Sequence, residues 1–186
     1  MRLFVALEIP STVRENLAEL FKSLRSMSPQ TRWARPENLH VTLKFIGEVA
    51  EAKVAGIRSA LAGVRSNQPV TLGFRGLGFF PNEKHPRVFW AGIDASPNLK
   101  ALAADIDAAT EKLGIPAEKR PFSPHLTLAR FDTPRLPEKL RPAIQENAAR
   151  DFGSLRTKHF HLIESKLKPS GAEYTTLESF PFAAEV

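Results

Sequence analysis

The spacing of hydrophobic residues changes near the start of the chain. Residues 2–9 alternate, which predicts a β-strand, because successive side chains of a strand point to opposite faces. The aliphatic residues that share one face of this strand are Leu3, Val5, Leu7 and Ile9. After Pro10 the spacing becomes helical, with Thr12 and Glu15 at the separation of a capping box, and a Ser-Pro pair at 28–29 should end the helix. The predicted inner face of this helix contains Val13, Leu17, Leu20, Phe21 and Leu24.

The same two spacings place the remaining elements. Strands are predicted from His40 to a stop at Gly47, at 69–80, at 87–93, from His125 onward, and at about 158–167 and 174–182. Helices are predicted at about 50–64, from a cap at Ser96 to a stop at Gly114, and within 137–150. Their inner positions in the first two cases are Val54, Ile57, Leu61 and Val64, and then Leu99, Leu102, Ile106, Ala109 and Leu113. The segments with Trp33 and with Pro81 to Pro86 are predicted loops.

The order of elements then repeats along the chain. When the sequence is shifted by 85 residues, eleven residues of the segment 2–43 meet an identical residue without a gap. Ordinary residue usage would give roughly two or three such matches. The matching residues of the first copy are Arg2, Phe4, Ala6, Ser11, Leu17, Ala18, Arg35, Pro36, His40, Thr42 and Leu43. This self-similarity indicates an internal duplication.

The duplicated pattern predicts an α+β fold. Two pseudo-symmetric lobes would place antiparallel sheets on the two sides of a central cleft, with helices on the outside. The length of 186 residues suits a single domain over 1–186. Within that domain the repeats would cover about 2–80 and 87–168, followed by a C-terminal strand at 174–182.

Composition narrows the class of protein. The fractions of hydrophobic (42%) and charged (25%) residues are ordinary for a globular chain. The absence of cysteine excludes disulfides and thiolate metal sites. No run of the length of a signal peptide or a membrane span is present, so the expected location is the cytoplasm. The net charge of +6 favours a polyanionic partner, although many small proteins are as basic without one.

The candidate chemistry lies in the duplicated motif His-x-Thr-hydrophobic. In a strand, His40 and Thr42 share one face, and His125 and Thr127 do the same in the second copy. By the same alternation, Lys44 falls on the His40 face and Phe45 falls on the opposite, core face. Arg130 falls opposite His125, and it reaches the motif only if the strand ends or bulges there.

Two such strands across one groove suit acid–base chemistry at phosphorus. Imidazole titrates near neutral pH, so one ring can remove a proton from a nucleophile while the other donates one to the leaving group. The hydroxyls of Thr42 and Thr127 can donate hydrogen bonds to the oxygens of a phosphate between them. A strained cyclic phosphodiester fits this arrangement, which requires no cofactor and no metal ion.

The pattern resembles the 2H phosphoesterase superfamily, and within it the LigT-like group of RNA 2',3'-cyclic phosphodiesterases, also known as 2'-5' RNA ligases. The matching segments run across the chain in family order: 2–6, 32–33, 40–48, 124–130, 164–167 and 174–181. The resemblance implies hydrolysis of RNA 2',3'-cyclic phosphate ends to 2'-phosphates, with 2'-5' ligation as the reverse type of reaction. It also implies that His40 is the proton donor and His125 the acceptor, whereas the two nearly symmetric motifs do not distinguish these roles by themselves.

Other residues are candidates for substrate binding. Lys44 and Arg130 could contact phosphate, and Trp33 with Arg35 could form a stacking rim. The alternatives are a solvated lysine and a loop tryptophan that covers the core. His85, His159 and His161 have no partner in the repeat and are interpreted as ordinary.

The expected partner is RNA with a 2',3'-cyclic phosphate end, bound by a monomer. Two other functions compete with this one: a non-catalytic RNA-binding module, and a phosphodiesterase for a different small cyclic nucleotide. Paired histidines argue against simple binding, since binding needs basic and aromatic residues only.

Overall fold

The computed structural model describes residues 1–183, which contain four α-helices and nine β-strands. The helices are α1 (Ser11–Met27), α2 (Val54–Ala62), α3 (Asn98–Glu111) and α4 (Arg141–Glu146). The strands are β1 (Arg2–Glu8), β2 (Arg32–Trp33), β3 (His40–Glu48), β4 (Val70–Phe80), β5 (Val88–Ala95), β6 (His125–Arg130), β7 (Asp151–Thr157), β8 (His159–Lys168) and β9 (Gly171–Pro181). None of the helices in this range has the length and apolarity that crossing a bilayer requires.

The strands form two sheets, and every pairing within them is antiparallel. The first sheet has the order β3-β1-β8-β9, and the second has the order β2-β6-β5-β4-β7. The α+β class and its two antiparallel sheets are therefore confirmed.

The sheets do not coincide with the two sequence repeats. Strand β4 of the first repeat pairs with β5 of the second, and β8 of the second repeat pairs with β1 of the first. A short connection joins β4 to β5, which favours an antiparallel hairpin between them. The edge of β1 is then occupied by β8. The boundaries 2–80 and 87–168 expected for the lobes are thus not the boundaries of the sheets.

The helices cover one face of the sheets and bury the main core. The aliphatic residues of β1 lie in this core with the predicted inner face of α1, and all are at most 4% exposed. The other face of β1 contributes Phe4 and Ala6 to a small separate cluster with Ile163, against which Tyr174 packs. The predicted alternation of the first strand is therefore confirmed.

The predicted helix starts are wrong in detail. Helix α1 begins at Ser11, and no side chain caps it, so Thr12 does not form the capping box. Ser96 does not cap α3, because its hydroxyl donates to Asn98 and accepts from the Thr71 amide. Leu113 is 37% exposed, since α3 has already ended at Glu111. Strands β2 and β7 were not predicted, because one has only two residues and the other has exposed positions along its length.

The ungapped offset of 85 also fails in the first strand of each repeat. Thr42 lies opposite Ala6, and the equivalent Thr127 lies opposite Trp90, which corresponds to an offset of 84. A shift of one residue exchanges the faces of a strand. Phe4 accordingly faces the small cluster, whereas the identical residue Phe89 lies in the main core. The identities in this segment are therefore not structural equivalences.

Candidate active site

Both His-x-Thr motifs open onto one cavity of about 650 Å³, which we call the cleft. His40 and His125 are the first residues of β3 and β6, so each imidazole lies where its strand leaves the preceding loop. Thr42 and Thr127 also line the cleft, and their hydroxyls have no hydrogen-bond partner among residues 1–183. The structure thus brings together the four residues that the sequence paired.

Each catalytic candidate is held by the same backbone contact. The Nδ1 atom of His40 lies 3.0 Å from the carbonyl oxygen of Asn38, and Nδ1 of His125 lies 2.8 Å from that of Ser123. A carbonyl only accepts hydrogen bonds, so both Nδ1 atoms carry the proton. The Nε2 atom of each ring is then left to accept a proton when neutral or to donate one when charged.

The surroundings of the two rings differ. His40 contacts Phe4 and Tyr174, with ring centroids at 6.1 and 5.7 Å, whereas His125 meets the edge of Phe80 at 5.0 Å. Burial lowers the pKa of His40, although its contact with the Asn38 carbonyl and the nearby Glu8 carboxylate act in the opposite direction. The two motifs are therefore alike in backbone but not in electrostatics.

A β-bulge follows each motif and changes which side chains face the cleft. In β3 the residue pairing skips Leu43, and in β6 it skips the equivalent Leu128. An extra residue reverses the alternation beyond the bulge. Phe45 pairs with Phe4 and is 64% exposed, so its predicted core position is wrong. Arg130 occupies the equivalent position and lines the cleft, as the bulge condition requires.

Lys44 is turned inward by the same bulge and is only 4% exposed. Its ammonium group forms an ion pair with Asp107 of α3 and donates to the carbonyl oxygen of Pro116 at 2.7 Å. Desolvation raises the pKa of Asp107, but the Lys44 ammonium and the Glu118 amide lower it, and the net effect is a lowered pKa. The alternative of a solvated lysine is therefore wrong. Lys44 lines the cleft, but its ammonium group is paired with Asp107 and Pro116, which argues against the expected phosphate contact.

Trp33 lies between the cleft and the core. Its Nε1 atom donates to the carbonyl oxygen of Ser28 at 2.8 Å, and its ring meets Phe21 and Phe89 in edge-to-face geometry. Strand β2 adds Trp33 to the second sheet, opposite Ala129. Of the two interpretations of Trp33, these contacts favour a residue that covers the core and argue against a rim on which bases stack.

The cleft contains two matching arginines, of which only Arg35 was a candidate from the sequence. Arg35 and Arg120 both line the cleft and are equivalent in the repeat, each standing five residues before its histidine. Neither side chain, nor that of Arg130, forms an ion pair or hydrogen bond within residues 1–183. The identity of Arg35 and Arg120 in the repeat was the signal that could have found this pair.

The remaining histidines lie outside the cleft lining. The Nδ1 atom of His161 and the Oγ atom of Ser179 are hydrogen-bonded at 2.7 Å. Within residues 1–183, no three His, Asp or Glu side chains converge in a group that could hold a metal ion.

Comparison with known proteins identifies the family. The family model described as LigT like phosphoesterase matches residues 7–90 and 93–174. The RNA 2',3'-cyclic phosphodiesterase of Methanothermobacter thermautotrophicus is 34% identical, with 97% of this chain and 98% of the relative covered. The protein of the same name from Thermus thermophilus is 37% identical over 100% of this chain and 92% of its own length.

A solved structure agrees with this assignment. The crystal structure of E. coli LigT complexed with 3'-AMP superposes with a TM-score of 0.77 at 26% identity, covering 97% of each chain. Sequence, fold and the paired motifs thus lead to one conclusion. The chain belongs to the LigT-like phosphoesterase family.

Proposed function

We propose that this chain hydrolyses RNA 2',3'-cyclic phosphate ends to 2'-phosphomonoesters without a metal ion. The observation that carries the proposal is the matched pair His40 and His125, both with Nδ1 bound to a backbone carbonyl and both at one cleft. The names of the relatives support the choice of substrate.

The reaction is a single displacement at phosphorus. Neutral His125 accepts a proton at Nε2 from a water molecule as the water oxygen bonds to phosphorus. The bond from phosphorus to the ribose 3' oxygen breaks, and protonated His40 donates its proton to that oxygen. The product keeps its phosphate on the 2' oxygen. If the 5' hydroxyl of a second RNA replaces water, the same step forms a 2'-5' bond, which would be the ligation reaction.

Thr42 and Thr127 are proposed to bind the non-bridging phosphate oxygens. Substitution of either residue by the isosteric valine removes a hydroxyl donor but keeps the β-branched shape of the strand. Because a hydrogen bond to a charged group contributes about 1.5–3 kcal/mol, we expect kcat/KM to fall by roughly 10- to 100-fold. Steady-state kinetics check this, with Thr42→Ser and Thr127→Ser as controls that retain the hydroxyl. Equal activity of valine and serine variants would contradict the phosphate contact.

The unpaired arginines favour RNA over a small cyclic nucleotide. Guanidinium groups bind phosphate oxygens in a bidentate manner, and Arg35, Arg120 and Arg130 have no internal partner to neutralise them within residues 1–183. A mononucleotide has one phosphate to offer, whereas an oligonucleotide has several. The bulge in β6 places Arg130 in the lining of the cleft, beside the second motif.

We therefore expect the double variant Arg35→Ala, Arg120→Ala to discriminate between substrates by length. Its kcat/KM should fall by about tenfold or more for an oligonucleotide with a cyclic phosphate end and should change little for a cyclic mononucleotide. The parent's rate on the oligonucleotide should also fall more steeply with salt than that of the variant. Arg65→Ala is the control, since Arg65 lies outside the cleft. An equal loss on both substrates would contradict an extended RNA site.

One assay tests the function itself. The protein is incubated in EDTA with an oligonucleotide that ends in a 2',3'-cyclic phosphate, and the product is identified by ³¹P NMR. We expect a 2'-phosphate. A 3'-phosphate would mean that the leaving oxygen is misassigned, and tight binding without turnover would favour the RNA-binding module.

A further inference from the structure

The two histidines have different neighbours on the adjacent strand. His40 lies directly opposite Glu8 of β1, whereas His125 lies directly opposite Gly92 of β5. Side chains of directly opposed residues project from the same face of a sheet, with Cβ atoms about 5 Å apart. Glu8 therefore projects from the same face of its sheet as the ring of the first motif, whereas the equivalent position in the second motif has no side chain.

This difference is built into the backbone of the second sheet. A Cβ atom added at Gly92 would lie 2.5 Å from the carbonyl oxygen of Arg75, which is too close for any residue other than glycine. The second motif therefore has no space for an equivalent of Glu8. In the first motif, by contrast, Glu8 is solvent-accessible, and the Thr176 hydroxyl donates to its Oε1 atom at 3.5 Å.

Glu8 acts against the other charges that face His40. Arg14 of α1 and His161 of β8 lower the pKa of His40 in the same direction as burial, which has the largest effect. The Asn38 carbonyl and Glu8 raise this pKa, and Glu8 is the carboxylate among the groups that act on the ring. Tyr174 of β9 also contacts the ring. Without Glu8, the surroundings of His40 would therefore favour its neutral form more strongly.

We propose that Glu8 is a positioning residue that offsets part of the effect of burial on His40, stabilises its protonated ring and thereby favours the first motif as the proton donor. This inference rests on the proposed function and deepens it, because it supplies a physical reason for the division of roles between two nearly identical motifs. The proton on His40 Nε2 passes to the ribose 3' oxygen as its bond to phosphorus breaks. His125, opposite a glycine, has no carboxylate in this position and serves as the acceptor.

The test combines Glu8→Gln with two comparison variants. Glu8→Asp keeps a carboxylate on a shorter side chain, and Glu48→Gln removes a carboxylate at the far end of β3, where it is paired with the N-terminus. NMR titration of the imidazole protons in the whole protein should show the pKa of His40 lower by about 0.5 unit in Glu8→Gln, as expected for a partly exposed charge pair. Glu8→Asp should restore part of this difference, and Glu48→Gln should not change it.

The kinetic readout then assigns the role. Above the pKa of His40, the protonated fraction of a proton donor falls tenfold for each unit by which that pKa decreases. A decrease of about 0.5 unit should therefore make kcat/KM of Glu8→Gln about threefold lower there. If His40 were the acceptor, kcat/KM in this range would stay the same, and the inference would be overturned. An unchanged pKa of His40 in Glu8→Gln would overturn it as well. Absence of hydrolysis by the parent protein would instead refute the proposed function on which the inference rests.

Discussion

Replacement of His125 by alanine is expected to reduce kcat/KM for the cyclic phosphate by at least about 100-fold, and replacement of His40 by the same order. Each substitution removes a group that moves a proton in the transition state, and no other histidine lines the cleft within residues 1–183 to replace it. Each ring makes one hydrogen bond within residues 1–183, from Nδ1 to a backbone carbonyl, so the variants lose few of the polar contacts that hold the fold together.

The measurement is steady-state kinetics in EDTA, with the folded state of each variant checked by thermal unfolding. His85→Ala is the control, since His85 lies in an exposed loop outside the cleft, and it should keep the parent's activity. If either His40→Ala or His125→Ala retained more than about a tenth of the parent's activity, the two-histidine mechanism would be wrong.

Asp107→Asn is expected to lower the free energy of unfolding by about 3 kcal/mol at neutral pH. The substitution leaves the ammonium of Lys44 buried with neutral acceptors only, the carbonyl oxygen of Pro116 and the amide oxygen of the new side chain. An unpaired buried charge costs several kcal/mol, and the low end of that range applies because Asp107 is partly exposed. Urea denaturation measures the loss, and Asp105→Asn, on the exposed side of α3, is the matched control.

The same ion pair gives the stability of the protein a pH dependence. The pKa of Asp107 is lowered in the folded state, so this carboxylate stabilises the fold above its unfolded pKa, which lies near 4. That contribution is lost as the pH falls through the lower, folded value. The difference between the parent and Asp107→Asn should therefore shrink below about pH 4. A difference that stayed constant down to pH 2 would show that the charge of Asp107 is not responsible.

The alternation of residues predicted the positions of the site residues correctly only where each strand is regular. Alternation placed His40 and Thr42 on one face, and the structure has both at the cleft. The bulge at Leu43 then reversed the faces, so that Lys44 became buried and Phe45 exposed. A bulge depends on how two strands pair, and the pattern of a single strand does not contain that information. Arg130 reaches the cleft for the same reason.

The sequence pattern also could not predict that strands of one repeat pair with strands of the other, as β4 does with β5 and β8 does with β1. The repeat indicated the order of elements, but both a β4 that pairs with β1 and a β4 that pairs with β5 agree with that order. The choice depends on the short connection between β4 and β5 and on the open edge of β1, which β8 occupies. The alternation of residues 2–9 does not distinguish Glu8 from any other polar residue of a strand. The position of Glu8 opposite His40 became visible once the register of β1 and β3 was known.

The pH dependence of kcat/KM tests the central claim most directly. Parent protein, His40→Ala and His125→Ala are measured in EDTA on the same cyclic phosphate substrate across the range from pH 5 to 9. A pair of histidines that act as acid and base predicts a bell-shaped profile for the parent, and the residual activity of each variant should lack one of its two limbs. A flat profile for the parent, or variants whose residual activity keeps both limbs, would contradict the mechanism.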